Sequence, residues 1–103
     1  MTLRIHALFH TDYEDLNFIK HWAINHQHTI TYTRSYNKDT LPALGSFDWL
    51  IVMGGPISVH DEDNHPWLIE EKRLIKQSMD SGKTVIGVCL GAQLIAHCLG
   101  ASV

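Results

Sequence analysis

A chain of 103 residues, 45% hydrophobic and 18% charged, has the makeup of one small globular unit with a modest core. Its formal net charge of −3 leaves no basic footprint for nucleic acid, and no apolar run approaches the roughly 20 residues of a membrane-spanning helix. Two cysteines and an N-terminus without a signal-peptide pattern point to a reducing, cytoplasmic setting.

Residues 3–9 read as a first strand. Thr11 and Glu14 fit a helix-capping box, and Leu16, Ile19, Trp22 and Ala23 then recur at helical spacing, so a helix should run to about Asn25. Residues 29–33 are β-branched and aromatic, a second strand. The polar stretch 37–46, with Pro42 and Gly45, is a connection with room for one helical turn. Residues 47–53 form a third strand with the near-continuous apolar end of a central parallel strand, broken by Gly54-Gly55-Pro56. An acidic loop over 58–64 reads as a solvated face. A helix from about 66 to 80 follows, with Trp67, Leu68, Leu74, Ile75 and Met79 on its apolar face and Gly82 placed to end it. Residues 84–88 are a short apolar run, expected as a strand buried on both faces, and a helix closes the chain.

Strands alternating with helices in this order predict an α/β fold, a flavodoxin-like parallel sheet with right-handed crossovers and helices on both faces. Ligands in such sheets bind at the carboxyl ends of the strands. Gly54-Gly55 and Cys89 both fall at such ends. If the third and fourth strands are neighbours, the two glycines and the thiol face each other across one crevice.

Gly87-Val88-Cys89-Leu90-Gly91, between a strand and a helix, has the form of a nucleophile elbow, which holds a reactive side chain on a sharp, strained turn. Side chains at Gly87 or Gly91 would collide with the backbone of the turn. Cys89 would sit at the helix N-terminus, where the dipole favours a thiolate, and the Leu90 amide could donate to a developing oxyanion. The Gly55 amide could supply a second donor. Cys98, nine positions on, would lie roughly 13 Å from Cys89 along one helix, too far for a disulfide, and reads as core packing.

These two motifs resemble the class I, cysteine-nucleophile glutamine amidotransferases. Met53-Gly54-Gly55-Pro56 is similar to the family's oxyanion strand, and Gly87 through Gln93 to its elbow. The stretch from Gly54 to Val59 and on through Pro66-Trp67-Leu68, with Glu70-Glu71-Lys72, is similar to the stand-alone, GMP synthase-like subgroup. The resemblance implies that Cys89 attacks the side-chain amide of glutamine, that Gly55 and Leu90 stabilise the oxyanion, and that Gln93 and Gly54 hold the substrate. It implies no cofactor and no metal, and a synthase or synthetase partner that receives the ammonia. The family also uses a His-x-Glu pair far downstream of the elbow, and no such pair follows Cys89 in these residues. The resemblance therefore implies that residues 1–103 are the N-terminal part of one amidotransferase-like domain, inactive alone.

Eight histidines raise the question of a local base. His6 and His10 lie roughly 13 Å apart on the first strand and cannot share a ligand. His26 and His28 could face the same way, but no third metal ligand is evident. His21 falls on the first helix. His60 and His65, beside the acidic loop, could rim the crevice as substitutes but are disfavoured. His97 lies two turns into the last helix, pointing away from its catalytic end. Two other readings stay open. One is a different cysteine-elbow hydrolase, such as the intracellular-protease superfamily, although the residue after Cys89 is leucine rather than histidine. The other is a non-catalytic interaction module, whose exposed sheet edge could pair with a second copy or another protein.

Overall fold

Strands β1 (Arg4–Phe9), β2 (Thr29–Arg34), β3 (Trp49–Val52) and β4 (Thr84–Gly87) form one parallel sheet in the order β2-β1-β3-β4. This is seen in a computed structural model that describes residues 2–11, 16 and 18–101. Placing the first strand inside, between the second and third, is the flavodoxin-like order. Three helices complete the described fold: α1 (Phe18–Asn25), α2 (Trp67–Asp80) and α3 (Leu90–Cys98).

The two faces of the sheet bury separate cores because strand side chains alternate. Ile5, Ala7 and Phe9 of β1, with Ile51 and Met53, pack with Leu16 and Ala23 on the α1 side. Leu8, Leu50 and Val52 pack on the other side with Leu68, Ile75 and Leu94 of α2 and α3. Helices thus cover both faces, as the element order predicts. The polar connection holds two short 3-10 turns, Ser35–Asn37 and Leu44–Ser46, rather than one helical turn. The Thr11–Glu14 capping box lies outside the described residues, since 12–15 are not among them.

Helix α2 ends where glycine placement predicts. Gly82 takes φ +80°, its N–H donates to the Met79 carbonyl, and the Lys83 N–H donates to that of Ser78. Strand β4 differs from expectation. Thr84 is exposed and Val85, Ile86 and Gly87 are only half-buried, because β4 pairs with β3 alone among the described strands. Val85 and Ile86 still point into the two opposite cores, which explains why the run is apolar throughout.

Candidate active site

The carboxyl ends of β3 and β4 leave the sheet side by side. Val52 pairs with Gly87 in the last register position, and the Val88 N–H donates to the Val52 carbonyl at 2.9 Å. Beyond these residues the chain makes its two predicted turns, so adjacency of the strands puts both on one rim.

The elbow is forced by close backbone approach. A β-carbon on Gly91 would overlap the Val52 carbonyl oxygen, and one on Gly87 would come within 2.6 Å of the Ala92 nitrogen. Helix α3 can therefore start directly against the end of β3 only with glycine at both places. Between them Cys89 adopts φ 52° and ψ −109°, a positive φ that costs a residue with a β-carbon roughly 1–2 kcal/mol. Its thiol is free and the residue exposed. The Cys89 carbonyl accepts the Gln93 N–H at 3.1 Å, which places exposed Gln93 one turn into α3. Leu90 is buried at the head of the helix.

On the other turn, Gly54 is buried and Gly55 half-buried. A β-carbon on Gly55 would lie 2.6 Å from His10 Cβ and 3.4 Å from Leu90 Cδ2. Gly55 is thus wedged between the end of β1 and the residue that follows Cys89. The five residues singled out from the sequence (Gly54, Gly55, Cys89, Leu90 and Gln93) all lie on the two turns and the first turn of α3.

Behind the Gly54–Gly55 turn is a polar group the sequence reading passed over. His10 Nδ1 lies 2.9 Å from the Met53 carbonyl oxygen and its Nε2 lies 2.6 Å from Glu71 Oε1, with both side chains fully buried. Ser35 donates to the other Glu71 oxygen at 2.9 Å, and the His10 ring stacks on Trp67 at 5.7 Å. Burial disfavours a charged His10, but the hydrogen bond and the close negative charge of Glu71 outweigh it. The carbonyls of Met53 and Gly54 act the same way, and the His10 pKa is raised. One signal was available: Glu71 stands on the same helical face as Leu68 and Ile75, and a carboxylate on an apolar face needs a buried partner.

Six other histidines make contacts of their own. His6 bonds Thr31 and Thr33 of the neighbouring strand, and burial lowers its pKa to about 4. His26 and His28 pack on Trp22. His65 lies beside Asp61 and Trp67. The His60 ring meets His97 edge-on at 5.4 Å, which holds it near the far end of α3, about 12 Å along the axis from Cys89. Among the described residues no three histidine, cysteine or acidic side chains gather as a metal site would need. Cys98 is half-buried against the α2–α3 core, its thiol 3.5 Å from the Lys72 carbonyl and pushed up in pKa by burial.

Residues 16–103 match the family model described as glutamine amidotransferase class-I. The chain is 36% identical over 105 residues to the glutamine amidotransferase-like protein YfeJ of Salmonella typhimurium, covering 98% of this chain and 44% of that protein. It is 37% identical over 71 residues to the similarly described protein L716 of Acanthamoeba polyphaga mimivirus, covering 68% of this chain and 35% of L716. A solved glutamine amidotransferase from Thermotoga maritima superposes with a TM-score of 0.92 at 27% identity, over 97% of this chain and 44% of its own. One from Methylobacillus flagellatus gives 0.89 at 27% identity, over 97% and 40%. The chain thus spans less than half the length of each of these proteins.

Proposed function

The chain belongs to the class-I glutamine amidotransferase family, and from that premise we propose that Cys89 is the nucleophile of a glutaminase reaction. The Cys89 sulfur adds to the side-chain amide carbon of glutamine, and the negative charge collects on the carbonyl oxygen. The N–H groups of Gly55 and Leu90 receive that oxyanion, while Gln93 and Gly54 hold the substrate. When the carbon–nitrogen bond breaks, the nitrogen takes up a proton and leaves as ammonia, and a γ-glutamyl thioester remains. Water then adds to the thioester, the carbon–sulfur bond breaks, and glutamate and the thiol are released.

Both proton transfers need a general acid and base. By the family resemblance, we assign this role to a His-x-Glu pair outside these 103 residues. In this reading the chain is the N-terminal part of one domain. The stretch from Gly54 to Val59 with Pro66-Trp67-Leu68 favours the GMP synthase-like subgroup, with ammonia passed to a synthase or synthetase partner. No described helix is long and apolar enough to cross a membrane.

The observation that carries the proposal is the exposed thiol at positive φ, held between two obligatory glycines beside the Gly54–Gly55 turn. A glutamine-mimicking electrophile should modify Cys89, free glutamine should protect it, and Cys89→Ala should abolish labelling. Preferential modification of Cys98, or labelling that glutamine leaves unchanged, would refute the assignment.

A further inference from the structure

We propose that the buried His10–Glu71–Ser35 network is the device that sets the Gly54–Gly55 turn, with His10 as a positioning residue for the oxyanion donor. This rests on the glutaminase reading of Cys89 and extends it to residues that never touch substrate.

Three observations meet at His10. Its ring lies 2.9 Å from the Met53 carbonyl, and the Gly54 carbonyl also favours the charged ring. In a planar trans peptide the N–H points opposite to the carbonyl. The Met53 carbonyl drawn toward His10 therefore turns the Gly54 N–H away from it and fixes the peptide plane from which the chain continues into Gly55. Next, a β-carbon at Gly55 would lie 2.6 Å from His10 Cβ, so the turn rests directly on this side chain. Last, Glu71 from α2 and Ser35 after β2 fix the far side of the ring, while Trp67 covers its face. The network thus joins the carboxyl ends of β1, β2 and β3 to one helix, at the one turn the chemistry needs held still.

Packing alone does not account for this arrangement. Two charged groups removed from water cost several kcal/mol, and apolar side chains of similar volume often serve stability as well or better. The His10–Glu71 pair here gives something they cannot, a donor aimed at the Met53 carbonyl where the turn begins. The Ser35 hydroxyl is tied to the network by its hydrogen bond to Glu71.

The test compares two reagents on Cys89 in the full-length protein that carries the acid–base pair assigned above. A glutamine-mimicking diazoketone needs the substrate pocket and oxyanion donors, whereas iodoacetamide reports only the thiol. In Glu71→Gln the maximal inactivation rate by the diazoketone should fall about ten- to hundredfold, the scale expected for a misplaced rather than deleted donor. Its half-saturating concentration and the iodoacetamide rate should stay within about twofold. Ser35→Ala, which keeps the ion pair, should lower the same maximal rate about threefold and decides the matter if Glu71→Gln does not fold. An unchanged maximal rate in whichever of these variants folds, or an equal fall for both reagents, overturns the positioning role. Failure of the unaltered chain to react with the diazoketone at Cys89 would instead count against the glutaminase reading, and with it this extension.

Discussion

Cys89 stores strain that its proposed role as nucleophile explains. At φ 52° a β-carbon is unwelcome, so Cys89→Gly should unfold at equal or higher urea concentration, with a gain of up to about 1 kcal/mol, while losing all reactivity. Cys89→Ala keeps the strain and should show no such gain. Gly91 is the converse case. A methyl group there meets the Val52 carbonyl, and Gly91→Ala should cost about 3 kcal/mol or more in the same urea titration. The two buried histidines oppose each other in pH. His6, lowered to about 4 in the fold against about 6.5 when unfolded, favours the neutral state. Its contribution is complete above pH 6.5 and is lost as pH falls toward 4, on the order of 3 kcal/mol when complete. His6→Gln should flatten stability over that window. His10, with its raised value, contributes fully below about pH 6.5 and loses that contribution as pH rises through the folded-state value.

At the level of elements, α2 carries two kinds of information on one helix. Leu68, Leu74 and Ile75 fill the core, and Glu71 among them reaches the strand ends. Its end at Gly82 is set by backbone conformation alone, since a β-carbon there would meet open space. Gly82→Ala should therefore cost only about 1 kcal/mol by thermal unfolding, well below Gly91→Ala. The contrast separates a glycine kept for its φ from one kept for its lack of volume.

Across the whole molecule, the sheet is covered unevenly. On the α1 side, Ile19, Trp22, Trp49 and Ile86 line an open apolar groove of about 370 Å³ next to half-buried β4. The α2–α3 side is closed by two helices packed on one core. The candidate site sits where the strand ends meet α2 and α3, so Cys89 and the Gly54–Gly55 turn invoked by the proposed reaction both lie within these residues. The acid–base pair of the proposed reaction does not. Loss of one member of such a catalytic set lowers rates about 10³–10⁶-fold. The 103-residue chain alone should release no ammonia from glutamine above background, measured by a coupled ammonia assay. Robust turnover would mean that one of its own histidines serves as the base.

The sequence by itself determined what depends on near neighbours: the strands and helices, the glycines of the elbow, the end of α2 at Gly82, and the parallel α/β class that follows from their order. Those features rest on backbone sterics and apolar spacing, which act within a few residues. Only the tertiary structure decided that β4 would be half-covered, that His60 would meet His97, and that His10 would find Glu71, 61 positions away, beneath the Gly54–Gly55 turn. Which helix face a strand end meets is set by how the layers pack, and that information is spread over the whole chain.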